Sequence, residues 1–356
     1  MLKRLSLTNF RSYSSFDITF ESPLTIIIGP NAVGKTNLLE SIFLASTTKS
    51  FRAHDDELIN FGESFYKIRA EYGDRSSEIR YVVENDSHRK IALISDIKRP
   101  LSQLLGLNPV TLFEPNDLNL LYSSPSSRRR YLDLVLSQVD KNYLSALQLY
   151  RRIIKQRNSL LHQAKRSGSL SGLKDHLFVW DVQMVEPAKK ITETRKHFLD
   201  SLSTLINTYY QSISGDHTIY KLIYEPSLDL SDADVMTQID MHHQKDIQAG
   251  FTTIGPHRDD FTVERDGKKI TEIISRGEMR TFILSLKLAE MDFIEQETKK
   301  RPTLLLDDVF SELDSARRGH LLEAIANQQT FLTTTDIDAH TKLDAQMIDL
   351  GGVANG

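Results

Sequence analysis

Leu5 and Leu7, then Phe16, Ile18 and Phe20, alternate with polar residues, the two-residue period of strands buried on one face. Residues 24–28 (Leu-Thr-Ile-Ile-Ile) are denser and predict a strand buried on both faces, running straight into Gly29. Beyond Lys35 the spacing turns helical, with Leu38, Leu39, Ile42 and Phe43 on one face. The strand period returns over residues 65–96, broken at Gly73-Asp74 and Asn85-Asp86, and residues 110–113 add a strand that ends at Pro115. Residues 118–214 are helical in spacing, with breaks expected at Pro125, Gly168 and Gly172 and a kink or split at Pro187. Glu225, Asp229, Asp232 and Asp234 mark a solvated acidic loop. Strand patterns resume at Phe251 and over residues 261–264, with a turn at Asp266-Gly267. A helix through Phe282, Leu286 and Ala289, an apolar strand over 303–306, another helix and a strand over 331–334 complete the chain.

The order is α/β, then helical, then α/β, which predicts one domain interrupted by another. We assign residues 1–117 and 249–356 to a discontinuous head of mixed sheets with helices, and 118–248 to an inserted helical arm. A length of 356 residues suits two such domains. The absence of cysteine excludes disulfide scaffolds, thiolate metal sites and cysteine nucleophiles. No apolar run reaches the ~18 residues of a spanning helix, and Ser6, Thr8 and Asn9 interrupt any leader-like core, so a soluble, cytoplasmic chain without membrane partners is expected. The net charge of −4 means that any site for a polyanion must be local.

Gly29-Pro30-Asn31-Ala32-Val33-Gly34-Lys35-Thr36 matches G-x-x-x-x-G-K-[ST] between a predicted strand and a predicted helix. Two glycines let the backbone curl so that its N–H groups face phosphate oxygens, and the following helix adds its N-terminal donors. Lys35 is placed to bridge the β- and γ-phosphates of a nucleotide and Thr36 to ligate Mg²⁺. Leu304-Leu305-Leu306-Asp307-Asp308 supplies the second half of such a site: Asp307 to hold Mg²⁺ through water, Asp308 to orient or deprotonate an attacking water. Ser275-Arg276-Gly277-Glu278 opens a helix upstream of that strand, a further phosphate-binding surface in principle, although serine there also serves as an ordinary N-cap.

This ordered set resembles the ATP-binding-cassette (ABC) ATPases, and within them the SMC/Rad50/RecF branch, whose phosphate-loop continuation looks like Lys-Thr-Asn-Leu-Leu-Glu-Ser-Ile (residues 35–42) and whose first strand is similar to residues 7–13 (Leu-Thr-Asn-Phe-Arg-Ser-Tyr). Residues 49–52 (Lys-Ser-Phe-Arg), 113–118, 124–130 (Ser-Pro-Ser-Ser-Arg-Arg-Arg), 255–260 (Gly-Pro-His-Arg-Asp-Asp) and 306–314 are similar to segments of the RecF family over nearly the whole chain. The resemblance implies an ABC-type P-loop ATPase head that dimerises head to tail on ATP, with Ser275 and Gly277 of one copy reaching the nucleotide held by Lys35 of the other and Asp314 at the same interface. It also implies slow, DNA-stimulated ATP turnover used as a switch, DNA as partner (single- and double-stranded, and gapped duplex), cooperation with RecO and RecR, and help to RecA at single-strand gaps. Arg276 and Glu278 depart from the Ser-Gly-Gly-Gln of transporter cassettes, and Asp308 stands where many relatives carry Glu. No histidine ends the 331–334 strand, leaving Thr334 or Thr335 to substitute for the usual switch residue. The resemblance leaves open the roles of His257 and Arg258; a buried structural role suits His257 at least as well as a functional one.

Residues 128–166 hold ten lysines and arginines against two aspartates. One-sided charge of this kind suits a phosphate backbone, and Arg128, Arg129, Arg130, Arg151, Arg152, Lys155 and Arg157 are the candidate DNA contacts. Among rivals, a transporter subunit would place its Ser-x-Gly element ~100 residues after the loop in the manner of that family, whereas 240 residues separate Lys35 from Ser275. A full SMC head needs long heptad runs that this chain cannot hold, and a P-loop small-molecule kinase needs an acceptor pocket.

Overall fold

A computed structural model describes residues 1–167, 173–230, 234–325, 328–335 and 344–351. The expected breaks at Gly168 and Gly172, and Asp232 of the acidic stretch, lie outside the described residues. The strands are β1 (Leu2–Phe10), β2 (Tyr13–Thr19), β3 (Leu24–Ile28), β4 (Phe65–Tyr72), β5 (Arg75–Glu84), β6 (Ser87–Ile94), β7 (Ile97–Arg99), β8 (Val110–Phe113), β9 (Tyr220–Glu225), β10 (Asp260–Arg265), β11 (Lys268–Lys269), β12 (Thr303–Asp307), β13 (Thr330–Thr334) and β14 (Gln346–Asp349). The helices are α1 (Lys35–Thr47), α2 (Pro125–Val139), α3 (Lys141–Ser167), α4 (Leu173–Ser214), α5 (Val235–Ala249), α6 (Ile270–Ile273), α7 (Arg276–Thr298) and α8 (Ser315–Ile325). Among the described residues no helix is long and apolar enough to cross a membrane.

By packing, the chain divides into two compact units. The first comprises Met1–Leu118, Tyr209–Asp216 and Arg276–Gly356, and the second Asn119–Thr208 and His217–Ser275. The first unit carries a parallel sheet in the order β14-β3-β13-β12-β8 and an antiparallel sheet in the order β2-β1-β4-β5-β6-β7. β3, β12 and β13 are buried along nearly their whole length, as strands of a parallel sheet covered on both faces are. β4 instead alternates buried and half-buried positions, the signature of a sheet with one covered face. Helix α1 packs against β8, β12 and β13 of one sheet and β1, β4 and β5 of the other, so it is covered on almost every side.

The second unit holds α2, α3, α5, α6, most of α4 and the sheet β11-β10-β9. Residues 249–275 pack with this unit, whereas the sequence pattern groups them with the head. The reason is pairing across the chain: β10 runs antiparallel to β9 from Asp260↔Glu225 to Arg265↔Tyr220. β9 is short and follows a long helix, so no local pattern announces its partner. Helix α4 continues through Pro187 without being split. Phe251, expected in a strand, lies outside one and stands beneath the Arg258 guanidinium, 4.7 Å from the ring centre.

Candidate functional site

The phosphate loop leaves the C-terminal end of β3 and enters α1 at Gly34, which has φ +112°. A Cβ there would lie 2.9 Å from the Tyr13 hydroxyl and 3.0 Å from that of Ser12, so both conformation and close approach require glycine. Tyr13 in turn donates to the Gly34 carbonyl at 3.1 Å. Lys35 is buried and donates to the carbonyls of Gly29 (2.8 Å) and Pro30 (2.9 Å), which holds its ammonium within the loop formed by residues 29–36. Burial pulls its pKa below the ordinary lysine value, and the charges of Asp308 and Asp307 oppose that fall. These three residues therefore share one electrostatic site.

Thr36 donates to the Asp307 carboxylate at 2.9 Å. The same carboxylate oxygen accepts from the buried Thr333 hydroxyl at 2.9 Å, and that hydroxyl accepts the backbone N–H of Asp308 at 2.9 Å. The topology explains the meeting: β13 lies between β3 and β12, so its end sits between the loop and the two carboxylates. Thr333, one residue before Thr334, thus touches both aspartates from this strand end. Asp308 is left-handed (φ +51°), a strained conformation for a non-glycine residue, held here through its N–H.

A hydroxyl and a carboxylate oxygen side by side are hard donors of the kind Mg²⁺ takes alongside water and phosphate oxygens, so Thr36 and Asp307 fit a magnesium ion. Among the described residues no cluster of three or more His, Asp or Glu forms a self-sufficient metal cage. Glu114, just past β8, is pushed up to about 7, by burial first and then by the charges of Asp117 and Asp307, with Lys287 opposing.

Residues 7–13, 35–42 and 49–52 are separate segments of the sequence that the fold joins. The joint is Glu40, fully buried on α1 one turn beyond Thr36. Arg11 grips its two oxygens at 2.9 and 3.0 Å, while Arg52 (3.0 Å) and Ser50 also bond it. Burial opposes the charged form, yet the hydrogen bonds from Arg11, Arg52 and Ser50 hold the carboxyl below the usual glutamate range. Arg11, Ser12, Asn37, Arg52 and Phe61 line a cavity of about 530 Å³ beside the loop helix.

Ser275 is exposed and occupies the position before α7, and Gly277 lies in that helix's first turn. Asp314 caps α8, accepting the Arg317 backbone N–H at 2.9 Å. That N–H and the guanidinium keep its carboxyl below the ordinary aspartate value.

Six of the seven candidate DNA contacts are at least partly exposed, and one is not. Arg157 is fully buried, bonded to Asp181 (2.7 Å), Asp246 (2.6 Å) and Thr252 (2.8 Å), so it is withdrawn as a DNA contact. Arg128 forms a two-pronged pair with Asp260 (2.7 and 2.6 Å), and Arg129 donates to the Asp259 carbonyl at 2.8 Å. The aspartates that engage these three arginines all lie beyond residue 166, outside the basic stretch. Arg130, Arg151, Arg152 and Lys155 are exposed, with Arg151 paired to Asp133 at 2.8 Å.

A parallel sheet with a phosphate loop on one strand, an acidic end on another and a flanking antiparallel sheet defines an ABC-type P-loop ATPase head. The family model described as RecF/RecN/SMC N terminal domain matches residues 1–349. The DNA replication and repair protein RecF of Agathobacter rectalis is 37% identical over 100% of this chain and 98% of its own length. That of Moorella thermoacetica is 40% identical over 94% of this chain and 90% of its own. The solved structure of the recombination mediator protein RecF-ATP in the RecFOR pathway superposes with a TM-score of 0.88 at 30% identity, covering 98% of this chain and 96% of that one. An Smc head domain from Pyrococcus furiosus shares the fold at a TM-score of 0.50 and 17% identity, covering 94% and 89% of the two chains. The chain belongs to the RecF family of DNA replication and repair proteins.

Proposed function

We propose that this chain is an ATP-dependent DNA-binding protein of recombinational repair, a clamp that closes when two copies share ATP head to tail. The observation that carries the reading is the convergence of Lys35, Thr36, Asp307 and Asp308 at the ends of β3 and β12, with Thr333 between them. Lys35 neutralises the β- and γ-phosphoryl oxygens, while the N–H groups of residues 29–36 fix their position. Thr36, and Asp307 through water, would hold magnesium, which when bound would supply charge neutralisation on those oxygens. Asp308 orients the attacking water. Ser275 and Gly277 of the second copy complete the phosphate contacts, with Asp314 at the joint. The full-length kinship with RecF proteins, among them a relative solved with ATP, supports DNA, RecO and RecR as partners and assistance to RecA at single-strand gaps.

Sedimentation with ATP and Mg²⁺, with and without a gapped duplex, tests this directly. Nucleotide should produce dimers, DNA should stimulate turnover, and no added acceptor should become phosphorylated. Lys35→Met should weaken nucleotide binding by ~10-fold or more, the loss of a charge-assisted contact. Unchanged affinity would remove the site.

A further inference from the structure

We infer that Arg317 is a positioning residue that binds the start of α7 and the Asp314 turn into one preformed surface for the second copy. The inference rests on the head-to-tail reading above and adds the means by which its two contact segments, distant in sequence, act together.

The guanidinium divides its donors between both segments. Nη2 donates to the Gly277 carbonyl at 3.1 Å and Nε to the Thr281 hydroxyl at 2.8 Å, both in the first turns of α7. Nη1 pairs with the Asp314 carboxylate, whose other oxygen already takes the Arg317 backbone N–H at 2.9 Å. One side chain thus spans 40 residues of sequence. The next residue faces the other way: Arg318 Nε donates to the carbonyls of Phe310 and Leu313, both at 2.9 Å, and closes the turn that delivers Asp314. The pair of arginines at the start of α8 therefore anchors that turn on itself and on α7.

Three observations favour positioning over simple stabilisation. Arg317 is only about a quarter exposed (23%) while Asp314 is half exposed (53%), so the fork is sheltered and the carboxylate it aims is open to a partner. The acceptors on α7 are a backbone carbonyl and a hydroxyl, groups that define geometry rather than charge. A lysine could keep the ion pair with Asp314 but has no planar fork to reach the Gly277 carbonyl and the Thr281 hydroxyl as well.

The test compares dimer formation and nucleotide binding in the full chain, using sedimentation with Mg²⁺ and a slowly hydrolysed ATP analogue and, separately, a fluorescent ATP analogue at concentrations too low for dimers. Arg317→Gln should weaken dimerisation by ~10-fold or more and leave monomer nucleotide affinity within about twofold. Arg317→Lys should recover less than half of that loss. Thr281→Val, which leaves the arginine in place and removes one acceptor, should weaken dimers by about threefold with unchanged melting and covers the case in which Arg317→Gln fails to fold. Ser275→Arg serves as control. If Ser275→Arg abolishes dimers while the Arg317 and Thr281 variants dimerise like the parent, this inference is overturned and the head-to-tail reading survives. If Ser275→Arg dimerises normally, the head-to-tail reading falls and the inference with it.

Discussion

The Thr333 hydroxyl lies 2.9 Å from the Asp307 carboxylate and takes the N–H of Asp308 at the same distance. A single buried side chain thus touches both aspartates of the candidate site, one at its carboxylate and the other at its backbone N–H.

Thr333→Val keeps the shape of the strand end and removes both bonds. Because a part-buried N–H then loses its acceptor, stability should fall by ~1–2 kcal/mol. Turnover of ATP should fall by ~10–100-fold, as expected when a group aligning a reacting centre shifts by a fraction of an ångström, while nucleotide affinity changes little. Steady-state kinetics alongside fluorescent-nucleotide binding separates the two. An equal loss in both would place Thr333 in ground-state binding instead.

Thr333 was not legible in the sequence, although its neighbours were. The phosphate loop is a local pattern: eight consecutive residues between an apolar strand and a helix carry their own physics. The Leu-Leu-Leu-Asp-Asp strand end is nearly as local. Thr333 matters only because β13 inserts between β3 and β12, and no spacing rule gives that strand order. Residues 249–275 pack with the second unit for a related reason, since the partner of β10 is β9, across an intervening helix. Glu40 shows the same limit, as its two arginines come from the turn after β1 and the segment after α1. What local windows reveal is chemistry at one point of the chain; what they miss is chemistry shared between points.

Arg157 and the pair Arg152 and Lys155 occupy the same helix and should behave oppositely. Arg157→Met leaves Asp181 and Asp246 buried without their cation and should cost ~3–5 kcal/mol, read as a lowered denaturant midpoint. Arg152→Glu with Lys155→Glu should change stability by less than ~0.5 kcal/mol, because both side chains are exposed. If they face DNA, the slope of log affinity against log salt should become shallower by ~2, about one unit per lost phosphate contact. Salt-dependent binding to a gapped duplex measures it, and an unaltered slope would move the DNA surface elsewhere.

His257 gives the arm a defined response to acid. Its Nε2 lies 3.0 Å from the Thr252 carbonyl, which can only accept, so Nε2 carries the proton and Nδ1 accepts from the Tyr150 hydroxyl at 2.8 Å. Burial is the main reason its pKa drops from 6.5 to about 4; Thr252 opposes the drop and Arg258 adds to it. Between those values the unfolded chain binds a proton that the folded chain refuses, so stability is fully present above pH 6.5 and is lost as pH falls toward 4. At ~1.4 kcal/mol per unit the loss is of order 3 kcal/mol. His257→Gln, which keeps one donor and one acceptor but does not titrate, should flatten the wild-type slope across this window in denaturant melts taken at stepped pH. A variant whose slope matches the parent's would mean that the ring is solvated and titrates normally.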